Sequence, residues 1–406
     1  MDEDQALGRR LREVRSWRQQ TLKAVVELAG ISYGFLGRIE RGEQPIRSRA
    51  TLEALANALQ VNPAELTGTP YAPADPVGSD AHAALRDVET VLSTVDLGVD
   101  PGVPARPWPE LAREVQHLNT VLRAEADYAA QGAVVPELLV QLHAAYVQQP
   151  EHRQHVLVGL IHVFHSAAVL TKNLGVRGWP VMAARLAEDC AHELGDPAWL
   201  GFATWLRGHA AGSQGRAHQL VASVRGIDAL TPHLDDPNAL QAAGMLHLNA
   251  ALAAAARSDA DTTYEHLGEA TSLAQRLPAE QERENFGYLY FGADNVGIWR
   301  VSLATELGEG PKVAELARDV RPEALPARAR RGMFHADLGR ALASERATQQ
   351  QGIRSLITAE HIAPQRVRNN VFVRETVADL LRQARRDATT RELRGLAWRM
   401  GVAPTG

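Results

Sequence analysis

The run that most constrains this chain is residues 21–42, read as TLKAVVELAGISYGFLGRIERG. Thr21 can cap a helix, because its hydroxyl accepts from the free backbone N–H groups of a first turn. Val25, Val26 and Ala29 then fall at helical spacing. Gly30 ends that run, since glycine enters the left-handed conformation without a Cβ penalty. Ser32 can cap a second helix with Leu36 and Ile39 on its inner side, and Gly42 closes it. Two short helices joined by a glycine-bearing turn form the helix-turn-helix layout, whose second helix enters the major groove of DNA.

The flanks agree with that layout. Residues 4–18 predict an amphipathic helix with Leu7, Leu11 and Val14 inward and arginines outward. After a loop at 43–49, Leu52, Leu55, Ala56 and Leu59 repeat at helical spacing. Asn62, Pro63 and Glu65 stand at the cap, first and third positions of a fifth helix. The residues Ala29-Gly30-Ile31-Ser32, Leu36 and Ile39-Glu40-Arg41-Gly42 carry a resemblance to the Cro/repressor-like (XRE) helix-turn-helix family. It extends over about residues 5–66 and implies double-stranded DNA as the partner.

Charge is distributed to suit a DNA reader at one end only. The whole chain of 406 residues carries a net charge of −5. Residues 1–70 hold ten Lys+Arg against nine Asp+Glu, so the acidic excess lies beyond them. A mildly basic head on an acidic body keeps the body off the phosphates. Cys190 is the sole cysteine, which excludes an intrachain disulfide and a cysteine-based zinc site. There is no apolar leader at the N-terminus and no run of 18 unbroken apolar residues, so a cytoplasmic protein with no membrane partner is expected.

Residues 67–78 (TGTPYAPADPVG) read as a linker. In the helix expected at 79–95, Leu85, Val88, Leu92 and Val95 form one stripe, which suits either its own chain or a dimer seam. A second breaker-rich stretch follows at 98–109. From Leu111 onward the chain reads as helices in pairs, with joints at Gly195-Asp196-Pro197, Asp235-Asp236-Pro237, Ser258-Asp259 and Gly308-Glu309-Gly310. The first two joints recur about 40 residues apart, a period within the range of helical repeats. The expected fold is therefore all-α: a five-helix head at 1–68, a linker at 69–110 with one helix, and an α-solenoid at 111–406. The paired units look like degenerate tetratricopeptide repeats, and the body resembles the repeat domain of actinobacterial XRE regulators at residues 286–310 and 364–386. That resemblance implies a transcription regulator whose body forms a homodimer and senses a peptide or small-molecule effector. Peptide-responsive regulators of Gram-positive bacteria share the architecture.

On the second helix of the head, Ser32, Tyr33, Gly34, Gly37, Arg38 and Arg41 point away from the Leu36/Ile39 face. Arg38 can grip phosphate or reach guanine with its fork; Arg41 can do so or pair with Glu40 or Glu43. Thr21 is a further candidate DNA contact, and Arg15 or Arg18, Lys23, and Arg47 or Arg49 are candidate phosphate contacts, each cation weighed against a solvated surface charge. Gly34 and Gly37 leave the outward face short of side chains, so DNA shape and close backbone approach carry more of the reading.

In the body, Asn295 is expected mid-helix between Phe291 and Trp299, and Asn249 stands near His247 in an apolar helix. Asparagine is poor in a helix interior unless its amide has a use, so these four are the candidate ligand contacts, Asn295, Trp299, Asn249 and His247. The alternative is a hydrogen bond between helices. Tyr288, Tyr290, Phe291 and Trp299 cluster and read first as core. His152, His155, His162 and His165 share a helix side, but no carboxylate or thiol joins them at ligand spacing. No P-loop, HExxH or nucleophile elbow is present, so no catalytic residue, metal or cofactor is expected. A protein-interaction scaffold with a weakened head is the competing reading.

Overall fold

The computed structural model describes residues 3–17, 20–46, 48–59, 61, 66, 83–211, 215–278, 285–384 and 391–402. Among these residues there is no β-strand. The head opens with α1 (Glu3–Trp17), α2 (Leu22–Ala29), α3 (Tyr33–Glu40) and α4 (Arg49–Ala58). The expected fifth-helix start at 62–65 lies outside the described residues, although Leu66 just after it is fully buried. Leu11, Val25, Leu36, Ile39, Leu55 and Leu59 close one apolar core. Helix α1 crosses α3 at Gly8, where a Cβ would come within 2.2 Å of the Ile39 carbonyl oxygen. Only glycine allows that approach.

The body begins with α5 (Leu85–Leu92) and α6 (Trp108–His117), which runs into a π-helical turn at Leu118–Leu122. The stripe residues Leu85, Val88, Leu92 and Val95 are all buried in the body's own core. Of the two uses its spacing allows, the 85–95 stripe takes the first and packs against its own chain. Next come α7 (Tyr128–Gln148), α8 (Arg153–Asn173), α9 (Trp179–Leu194), α10 (Pro197–Ala211), α11 (Arg216–Leu230), α12 (Pro237–Ala255) and α13 (Ala260–Arg276). The chain ends with α14 (Ala293–Glu306), α15 (Val313–Ala317), α16 (Arg328–Leu342), α17 (Gln349–Ile362), α18 (Pro364–Arg368), α19 (Val371–Ala384) and α20 (Arg391–Arg399).

From α6 onward each helix packs on the next, and α8, α10, α12, α14 and α16 also pack on the next but one, which gives a solenoid-like inner row. Inner helices are apolar nearly all round because they are covered on every side. In α12 fifteen of nineteen residues are buried, among them Leu246, Leu248 and a run of alanines. The stretch Pro150–Asn173 is long and apolar enough to cross a membrane, yet 78% of its most apolar window is buried inside the body. The joints are where the spacing put them. Gly195 is left-handed after α9, Asp236 caps α12 and Asp259 caps α13. Cys190 is a buried thiol in α9, and burial pushes its pKa up to about 12.

One feature turns the coil back on itself. The Tyr128 N–H donates to the Gln365 side chain at 2.8 Å, and the Arg328 N–H donates to the Ala124 carbonyl at 2.7 Å. The starts of α16 and α18 thus meet the chain at the start of α7, and a space is left between them. Buried charges on the way are matched. Arg340 lies 3.2 Å from Glu306 and 3.1 Å from Asp337, with all three side chains under 10% exposed. Glu360 takes both Arg368 and Arg399. Burial pushes its pKa up, but the bonds from these two arginines outweigh that and hold it below the usual carboxylate range. Arg340 also lies over the Phe372 ring at 5.1 Å, and Phe372 packs into the head's core.

Candidate nucleic-acid interface and body cavity

The turn between α2 and α3 has the geometry its residues predict. The Thr21 hydroxyl accepts from the Ala24 N–H at 3.1 Å, so α2 starts there. Gly30 leaves the helix at φ 65°, and the Ser32 hydroxyl accepts from the Phe35 N–H at 3.2 Å to start α3. Leu36 and Ile39 face the core. Ser32, Tyr33, Gly34, Arg38 and Arg41 are exposed, with Tyr33 60% accessible, while Gly37 is half-buried. A Cβ on Gly34 would meet only the end of the Arg38 side chain, so the outer surface of α3 is open backbone.

The candidate cations divide on this surface. Arg38 is exposed and makes no ion pair among the described residues. Arg41 donates to both Glu43 oxygens at 2.8 Å, and that bond holds Glu43 below the usual carboxylate range. Arg15 departs from the phosphate-contact reading: it donates to Glu40 at 2.6 and 2.9 Å and is only 14% exposed. It ties α1 to α3 instead. A long side chain near a carboxylate at a helix crossing gives no sign in one dimension of which way it turns. Lys23 is 80% exposed and stands 4.0 Å from Glu27. Arg47 and Arg18 lie outside the described residues, as does the Arg49 side chain.

In the body, α7, α16 and α18 border a cavity of about 170 Å³ that opens to solvent. Asn295 and Trp299 line it; Asn249 and His247 do not. Asn249 donates to the Trp205 carbonyl and accepts from Gln219 at 2.6 Å, which is the hydrogen bond between helices that competes with a ligand role. His247 turns to His266, with their Nδ1 atoms 3.0 Å apart. Asn295 is not mid-helix either. Helix α14 starts at Ala293, and residues 286–292 form a bent segment with Gly287, Tyr288 and Tyr290 at φ 59°, 56° and 54°. Aromatic residues rarely adopt that conformation, so the tertiary structure holds them there.

The arginines that shape the cavity were not legible in spacing. Asn295 donates to the Leu289 carbonyl and accepts from Arg330 at 3.0 Å, and Arg330 lies 4.5 Å over the Trp299 ring. Asn119, on the π-helical turn, accepts from Arg123, whose other nitrogen lies 3.3 Å from His165. The two asparagines thus position two arginines. Burial pushes the pKa of each guanidinium down to about 10. Burial and Arg123 push His165 well below the usual histidine range, and burial with the surrounding cations does the same to His209. The histidine row has no metal-holding partners: no group of three or more His, Cys, Asp or Glu that could hold an ion occurs among the described residues. His162 instead packs edge-on against Trp199 and Tyr288.

Comparison with known families places a helix-turn-helix domain at residues 6–67, which spans α1 to α4 and Leu66. No curated protein matches the chain. No solved structure matches it either.

Proposed function

We propose that this protein is a sequence-specific DNA-binding transcription regulator, acting without a catalytic step in the cytoplasm. The observation that carries the reading is the exposed outer face of α3 in a helix-turn-helix domain, with Arg38 free of any ion pair among the described residues. Ser32 and Tyr33 open the helix where base edges are reached, and Arg38 supplies the fork that pairs with guanine or phosphate. A recognition helix of eight residues reads few base pairs alone. A homodimer with its two helices about 34 Å apart on an inverted repeat doubles the site. The body, in this reading a degenerate tetratricopeptide-like solenoid, holds that spacing.

An effector in the body would change DNA affinity by binding two arrangements of the heads unequally. The contact of Phe372 with the head core gives such a change a physical route. The test is footprinting on the DNA upstream of the protein's own gene over a range of salt. A discrete protected inverted repeat, weakening steeply with salt, is expected. Protection that is absent, or that ignores salt, sinks the regulator and leaves the scaffold.

A further inference from the structure

The inward-turned arginines of the body fall into two sets. Arg340, Arg368 and Arg399 each meet a buried carboxylate within 4 Å. Arg123 and Arg330 do not: neither has a carboxylate within 4 Å among the described residues, and both line the same cavity. No acidic residue among the described residues lines that cavity, while Arg366 adds a third guanidinium to its wall. The nearest acid to act on Arg330, Asp337, is already held by Arg340 and by the Ser302 hydroxyl. A half-buried cation with no counter-charge costs stability unless something supplies one. Arg340, Arg368 and Arg399 show that carboxylates are placed beside inward-turned arginines elsewhere in the body, whereas none is placed beside Arg123 and Arg330.

The remaining walls say what else the occupant carries. Tyr128, Tyr290, Trp205 and Trp299 present rings, and Arg330 already stacks on one of them. The indole N–H groups of Trp205 and Trp299 are buried with no acceptor among the described residues. Unmatched buried donors mark places where a bound group completes the bonding. The space of about 170 Å³ is also limited. A cavity of roughly 150 Å³ can take benzene, so one ring with a small substituent fits this space.

We infer that the cavity is an effector site for a small aromatic carboxylate, whose charge is met by Arg123 and Arg330 and whose ring lies against the tyrosines and indoles. This deepens the proposed regulator and rests on it only for the consequence of binding. That consequence follows from α16, which carries Arg330 at the cavity and Arg340 beneath Phe372, the residue that enters the head core.

The test uses the full-length protein without DNA, with benzoate as probe and benzyl alcohol as its neutral counterpart. Tryptophan fluorescence and thermal shift read binding. Benzoate is expected to saturate below about 10 mM, and benzyl alcohol to bind at least about tenfold more weakly. Arg330→Gln and Arg123→Gln should each weaken benzoate by at least about tenfold, with the unliganded melting temperature unchanged or higher. Should either variant fail to fold, Met333→Phe, which fills the cavity and keeps its charge, is expected to abolish the shift. Equal binding of the alcohol, no saturation by benzoate, or full binding in the variants overturns the site. Inorganic phosphate binding as tightly as benzoate overturns its aromatic part. A separate mobility-shift assay with benzoate distinguishes the two failures. Benzoate bound with unchanged DNA affinity removes the coupling, and no DNA binding at all removes the regulator.

Discussion

In the head, Leu11, Val25, Leu36 and Leu55 close an apolar core, and the arginines sit at its edge or in water. In the body, arginines and histidines turn inward, where some meet carboxylates and others line a cavity. The comparison teaches where each part can respond to a solute. A solvated cation such as Arg38 attracts a large polyanion over a distance and exchanges counterions with it. A desolvated one such as Arg330 discriminates among small anions, because only a close-fitting partner repays its lost hydration.

Acidification should separate the two regions most strongly. All fifteen histidines lie beyond residue 81, so the head has none. Burial holds His162 at about 3 and, with His266 adding to it, His247 at about 4. Both stay neutral when folded, whereas unfolded they take up a proton below about pH 6.5. The unfolded state therefore binds more protons between pH 6.5 and 4, and stability falls as pH falls through that window. Each such histidine costs up to about 1.4 kcal/mol per pH unit. Segment-resolved hydrogen exchange at pH 6.5 and 5 should show faster exchange in α8 and α12 and little change in α2 and α3. Equal responses in head and body would erase the contrast.

Arg340→Ala comes next. It leaves Glu306 and Asp337 buried without their cation and should cost about 3–5 kcal/mol in urea unfolding. A loss under about 1 kcal/mol would show that matched charge is not what holds α14 to α16.

The smallest effect belongs to the head. Arg38→Ala should weaken operator binding by about 1–3 kcal/mol, roughly ten- to a hundredfold, with the fold intact. Arg41→Ala should cost less, since Arg41 already donates to Glu43. Equal losses for the two would mean that the Glu43 pair opens on DNA.

The head was legible because its determinants are local. The cap at Thr21, the left-handed Gly30 and the cap at Ser32 each act within four residues, so their order in the chain fixes α2 and α3. The joints of the body were legible for the same reason, as at Gly195 and Asp236. What spacing missed acts across the chain. Gly8 is needed by a carbonyl 31 positions away, and the direction of Arg15 depends on Glu40 across a helix crossing.

The cavity is the furthest case. It exists because Gln365 meets Tyr128 and Ala124 meets Arg328, contacts that join opposite ends of the body. The amino-acid sequence by itself determined that this chain is helical, where its helices break, and that a helix-turn-helix domain opens it. Only the tertiary structure decided which polar side chains are spent on the fold, as at Asn249, and which are held toward a cavity, as at Arg330. The reason is physical: helix formation and capping are settled over a few residues, whereas a buried charge is satisfied or left unmatched by whatever distant element folds beside it.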